Sequence, residues 1–438
     1  MNKKGIKWLY QELPELVARG VLNQDAADKI QQYYGEIKSK SQTSVILITC
    51  GTIGALLIGL GIILLLAHNW EQFSRFTRAV LSFVPLIIGQ GLALWVLMKR
   101  PQSNGFKEGA ATFLSLMVGA SIALISQTYN IPGDTGTFIL TWMLLIFPLI
   151  YFMQASLPAV IYLIGITAWS GSRGQSPLEA VLFWPLAAVV VPHFIWALRR
   201  EIYTIRTTLL SLVMIICVSC ATGFSLVRAW PGFWVVLFPA IYAIFYYLGL
   251  RRFPGLTTGW QRPLRGIGGT GLFILTLMFT YRYIWEGIRS GYHFLSIDEG
   301  APAFSFLPAQ AIAFMLMVLA ALFFYDAAKR KDLAFIFFGG LPLVAILVYA
   351  LRDNPTVVPL LIFNAYLFVL SVSRIILGLR NNSLSVINAG MLMLAALILV
   401  RLFDSDIGFI LKGLAFIILG AGFLAVNVSL VRRMGGAK

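Results

Sequence analysis

The sequence predicts an all-α fold: a polytopic transmembrane helix bundle preceded by a small cytoplasmic helical hairpin. Three observations carry this prediction. The 438 residues are 59% hydrophobic and only 12% charged, about half the charge of a soluble domain, where roughly a quarter of residues are charged. From Val45 to Val431 the apolar residues come in successive runs of about twenty, the length that crosses ~30 Å of hydrocarbon as a helix. These runs do not alternate apolar with polar as barrel strands do, and the helix is the other spanning structure that satisfies every backbone group internally.

Residues 1–44 form the first domain. Leu9, Leu13, Leu16 and Val17 share a helical face over Trp8–Arg19, and Ala26, Ile30 and Tyr33 share one over Asn23–Tyr34. Gly20 separates the two stretches. Asn23 is placed to cap the second helix, and Asp25 in its first turn complements the helix dipole. A hairpin this small holds no core of its own, so it packs on the membrane domain, the bilayer surface or a partner. Polar residues precede the first apolar run, which argues against a cleavable signal peptide.

Residues 45–438 form the second domain, with fourteen candidate spans at 45–67, 78–98, 109–126, 137–153, 157–170, 178–198, 207–227, 232–250, 267–285, 305–325, 333–351, 356–377, 384–402 and 407–431. Only Gln154–Ser156 separates spans four and five, and Pro158 sits at the join. The pair is read either as two crossings, for fourteen spans, or as a re-entrant unit, for twelve.

Orientation follows from the basic residues. With the N-terminus in the cytoplasm, the clusters Lys99/Arg100/Lys107, Arg199/Arg200/Arg206, Arg251/Arg252/Arg262/Arg265, Lys329/Arg330/Lys331 and Arg432/Arg433 all fall inside. Nine of the 34 Lys and Arg fall outside: Arg75, Arg78, Arg173, Arg228, Arg282, Arg289, Arg352, Arg401 and Lys412. This is the positive-inside pattern, and it leaves both termini cytoplasmic. Loss of one span would throw the later clusters outside, so thirteen crossings is disfavoured. The net charge of +16 is accounted for by scattered short loops rather than by one basic face, which argues against nucleic acid as a partner.

Three stretches carry a family resemblance: Gly20–Ile30 in the hairpin, the glycine-rich first span ending at Ala67–Glu71, and the entry to span two at Arg75–Arg78. Together they resemble a bacterial membrane-protein family known as domain-of-unknown-function 2157. The likeness covers the first third of the chain, and the last two spans, with Arg401–Asp404 and Lys412-Gly413, look like the tail of many such proteins. The resemblance implies a multi-spanning protein of the bacterial cytoplasmic membrane with a cytoplasmic hairpin, and a membrane-anchored protein partner. It implies no catalytic residue.

Several motifs are weighed against plainer readings. Gly266-Ile-Gly268-Gly269-Thr-Gly271 resembles a dinucleotide loop, but such a loop follows a strand, and here it opens a membrane span. Small residues that admit a neighbouring helix are the better reading, as for Gly51, Ala55 and Gly59. Cys217 and Cys220 form a CxxC inside a span, where packing outweighs redox chemistry. Asn364, Asn388 and Gln90 are expected to hydrogen-bond between helices. His68 and Glu71 close span one; three apart, they can share a proton, although no further ligand stands at metal spacing. No metal or cofactor is expected.

The candidate site is a set of arginines against the inside bias. Spans seven, nine, eleven and thirteen end on Arg228, Arg282, Arg352 and Arg401, with acids Glu286, Asp353, Asp404 and Asp406 nearby. Singly, each complements the dipole of an outward-running helix. Together, with Asp353, Asp404, His68 and Glu71, they are expected to line an outward-facing cavity for an anionic group, since guanidinium donates two parallel hydrogen bonds to phosphate or carboxylate. The leading expectation is a transporter- or flippase-like protein for an anionic or amphiphilic solute, in contact with membrane lipids. One alternative is an enzyme acting on a lipid-linked substrate through His293 and Asp298 in the segment Glu286–Phe304. Another is a structural or regulatory subunit working through its hairpin.

Overall fold

The computed structural model describes residues 3–34, 72–173, 176–200, 204–230, 232–252, 262–290, 302–351, 355–381 and 383–404, with scattered positions between 410 and 424. Spans one and fourteen lie largely outside them. All regular structure among the described residues is helical. The chain divides into two compact units, Met1–Arg78 and Ala79–Lys438.

In the first unit, α1 (Lys3–Ala18) and α2 (Gln24–Tyr34) are joined by a short turn. Gly20 takes φ +71° there, a conformation glycine adopts without steric cost, and the Val21 amide donates back to Leu16 O at 2.9 Å. Asn23 Oδ1 accepts from Ala26 N at 2.9 Å, the cap that the sequence led one to expect. Among the described side chains of the two helices, Leu13 and Ala27 are buried. Further along, Ser74 Oγ accepts from Thr77 N at 3.1 Å and so caps α3 (Arg75–Lys99), the helix that leads into the second unit.

The second unit continues with α4 (Asn104–Tyr129), α5 (Thr135–Phe152), α6 (Ser156–Ser172), α7 (Pro177–Arg200), α8 (Ile205–Leu226), α9 (Trp234–Arg252), α10 (Pro263–Met278), α11 (Arg282–Arg289), α12 (Leu307–Lys329), α13 (Leu333–Ala350), α14 (Val357–Arg380) and α15 (Leu384–Asp404). Each of spans two to thirteen therefore has a helical counterpart. Among the described residues ten helices are long and apolar enough to cross a membrane, α10 with α11 makes a bent pair that passes together, and α6 is apolar but shorter. Span nine differs from expectation: it stops at Met278, and α11 leaves at 76°.

The outer surface fits lipid. Ile87, Ile88 and Leu94 of α3, and Phe314, Met315 and Leu322 of α12, are all more than half exposed. Contiguous apolar surface of this kind is not tolerated in a water-soluble monomer. The interior is packed by close helix approach. A Cβ on Gly268 would lie 2.7 Å from Tyr246 N, and one on Gly271 would lie 2.6 Å from the Tyr242 ring, so these glycines seat α10 against α9. Cys217 is buried and Cys220 exposed, both as free thiols. Asn364 corrects an expectation: its amide donates to Leu360 O of its own helix at 2.7 Å rather than across helices.

Polar contacts at the helix ends record how the chain threads. Glu108 meets the starts of α6 and α8, Asp134 meets Arg173 at the end of α6, and Gln310 of α12 meets Ala229 after α8. Arg251 at the end of α9 meets Asp326 in the last turn of α12, and Arg401 of α15 meets Thr280 after α10. Every one of these joins ends that the charge count places on the same side.

Candidate functional site

A cavity of about 960 Å³ lies between α3, α4 and α5, at the end of α4 that leads into Asp134. Its lining mixes apolar side chains, Phe83, Leu86, Ile122, Phe138 and Leu145, with neutral polar ones, Ser126, Gln127, Asn130, Thr137 and Thr141. Part of the polar lining exists because α4 terminates there. Asn130 takes the left-handed conformation at φ 49°, which asparagine tolerates better than most residues, and the Ile131 amide donates back to Ser126 O at 3.0 Å. Pro132 and Gly133 then turn the chain into Asp134, the cap of α5. On the far side Ser121 Oγ donates to Ser82 O at 2.7 Å, pinning α4 to α3.

Asp134 sets the electrostatics of the rim. It accepts from Thr137 N at 2.7 Å, and Arg173 Nη2 donates to both its oxygens at 2.8 and 2.9 Å. The Thr137 amide first, and then the Arg173 guanidinium, hold its carboxyl below the ordinary carboxylate range. Arg173 Nε also lies 3.3 Å from Glu179 Oε2, an ion-pair contact without hydrogen-bond geometry. The rim charge is thus largely satisfied, and the cavity presents amides and hydroxyls rather than a bare ion.

At the opposite end of α4 a buried carboxylate ties three helices together, and a fourth joins through Ser156. Glu108 Oε1 accepts from Ser156 N at 2.7 Å and Oε2 from Leu157 N at 2.8 Å, so the carboxylate caps α6, where Ala155 has no side-chain oxygen to do so. Arg206 Nη1 donates to the same Oε1 at 3.1 Å; the two side chains are only 12% and 11% exposed. Ser156 Oγ pairs with His193 Nε2 at 3.1 Å. The imidazole stacks on Trp196 with centroids 5.6 Å apart and meets the edge of Tyr151. Sequence reasoning missed this cluster; the one available signal was an acid placed in a basic loop at a helix start.

The expected arginines fare differently. Arg282 pairs with Glu286 one turn along α11, both exposed. Arg401 Nη2 donates to Thr280 O at 2.8 Å, and its guanidinium lies 5.8 Å from the centre of the Tyr281 ring. Trp285 Nε1 donates to Phe279 O at 2.8 Å while its ring stacks on Phe363. The structure therefore brings Arg401 to the α10–α11 break beside Arg282, but there it serves carbonyls that the broken helix leaves without amide partners. Arg228 sits in a 3-10 turn, Val227–Ala229. The side chains of Arg228 and Asp404, and all of His68, Glu71, Arg352, Asp353, His293, Asp298 and Asp406, lie outside the described residues. Among the described residues, no three His, Cys, Asp or Glu gather as a metal set.

No curated protein and no solved structure matches the chain. The cavity wall, from Phe83 to Leu145, and Glu108 at the other end of α4 fall inside one recognisable segment, whereas Arg228, Arg282, Arg352 and Arg401 all fall beyond it. That segment, residues 14–159, matches the family described as predicted membrane protein, domain-of-unknown-function 2157 (DUF2157).

Proposed function

We propose that this chain is a transporter- or flippase-like protein of the bacterial cytoplasmic membrane, and that an amphiphilic solute occupies the cavity between α3, α4 and α5. The observation that carries the reading is the mixed lining of that cavity, apolar at Phe83, Leu86 and Phe138 and hydrogen-bonding at Gln127, Asn130 and Thr141. Ligand sites are mostly apolar with a few placed polar groups, and about 300–1,000 Å³ in volume. Fourteen crossings with both termini cytoplasmic would turn this end of the bundle outward. Arg282 and Arg401 already satisfy groups of the protein, so the solute is assigned to the cavity rather than to the arginines.

Thr141→Trp tests the reading, because an indole at this exposed cavity position fills the space and leaves the Asp134–Arg173 pair intact. Reconstituted in vesicles carrying a headgroup-labelled phospholipid, the wild-type protein is expected to speed movement of the label between leaflets, and the variant to lose that rate at least tenfold. Equal rates in the two would remove the cavity from the pathway.

A further inference from the structure

A second cavity, of about 360 Å³, lies between α7, α8, α9 and α12, away from the one just described. It is lined by apolar side chains apart from Arg199. Its wall on α7 runs through Val191, Ile195, Leu198 and Arg199, positions four, seven and eight residues on from the first, which form one stripe along a helix. At ~1.5 Å per residue that stripe is about 12 Å long and parallel to the helix axis. Ile241 and Leu248 of α9 face it across the cavity, again spaced along the axis. Val191 and Ile195 are each 41% exposed, so the groove opens sideways, through the helix wall and into the surroundings of the bundle.

The shape and charge of this groove together name its occupant. A space this apolar offers water no set of hydrogen-bond partners, and its axial run suits an extended hydrocarbon chain standing parallel to the helices. Its one ionic group stands at the end, at the level where α7 terminates in Arg199 and Arg200, and Arg199 makes no ion pair with any described residue. We infer that this groove holds an acyl chain of an anionic phospholipid, with the phosphate on Arg199. Guanidinium binds phosphate as a planar fork, and the chain's positive excess at this end of the bundle reinforces the choice of an anionic over a zwitterionic headgroup. The site is independent of the solute cavity and of the function proposed for it.

Native mass spectrometry of the full-length protein in detergent tests the assignment, with phosphatidylglycerol and phosphatidylcholine of identical chains added in equal amounts. The wild type is expected to retain one phosphatidylglycerol at least fivefold more than phosphatidylcholine. Arg199→Gln should abolish that preference, and Ile195→Trp, which lays an indole into the groove from an exposed position, should cut retention of both lipids. Arg289→Gln, at an exposed position in the last turn of α11, should change neither. A preference unaltered in Arg199→Gln would overturn the headgroup assignment, and retention unaltered in Ile195→Trp would overturn the acyl-chain seat.

Discussion

Glu108 and Asp134, near the two ends of α4, cap α6 and α5 in different surroundings, and the difference sets what each should do when altered. Glu108 is buried, and each of its oxygens is committed. Removing one member of such a pair leaves the other as an uncompensated buried charge, a cost of about 3–5 kcal/mol. Glu108→Ala should destabilise the purified protein by that order, and Arg206→Ala by a similar amount. The double variant should fall well short of their sum in thermal or denaturant unfolding; simple additivity would dissolve the pair. Asp134 is solvent-exposed, so its contribution is modest, but its sign is fixed. A carboxyl whose folded pKa is depressed adds stability that is full above its unfolded value, about 3.9 for aspartate, and is lost as pH falls through the lower folded value. Asp134→Asn should therefore flatten the loss of melting temperature below about pH 4; an unchanged acid limb would assign that loss to other groups. Neither carboxylate was legible as a site in the sequence, because their partners lie 39 to 98 residues further along and no local spacing encodes them. Arg401 was conspicuous for its place against the charge bias, yet it serves a carbonyl 121 residues earlier.

At the scale of helices, the helical counterparts of spans two to thirteen were legible because long apolar runs favour helices in a bilayer. The bend after Met278 was not: Phe279, Thr280 and Tyr281 contain neither glycine nor proline, the usual markers of a break. It is held by Trp285 and Arg401, which reach the freed carbonyls from elsewhere. The cavity was equally hidden, since α3, α4 and α5 are apolar nearly all round and hydropathy alone does not say which face is empty. The glycine motif that opens α10 was read correctly as a contact surface, and it gives a matched comparison. Gly268→Val places a side chain against the Tyr246 backbone, whereas a Cβ on Gly91 meets nothing within 4 Å. Overpacking of this kind costs about 1–3 kcal/mol, so Gly268→Val should lower the melting temperature by several degrees and Gly91→Val should leave it nearly unchanged. Similar behaviour of the two would mean that α9 and α10 separate without cost.

For the whole molecule, the contacts between helix ends constrain threading more tightly than charge counting does. Asp134 and Arg173 enclose α5 and α6, while Glu108 and Ser156 hold the opposite end of the same two helices. Each of α5 and α6 thus runs between the level of Glu108 and that of Asp134, the two ends of α4. Reporter fusions after Arg265 and after Asp298 should accordingly report opposite sides of the membrane, cytoplasmic for the first. Identical readings from both would break the proposed topology at α10. The Glu108–Arg206 bond has a further consequence, in time. Ribosomes add about 5–20 residues per second, and 98 residues separate the two partners. The acid is therefore made roughly 5–20 s before its cation exists, and the amides of α6 reach it about midway. During that interval the nascent carboxylate lacks its cation, so this part of the bundle locks only once α8 begins to emerge.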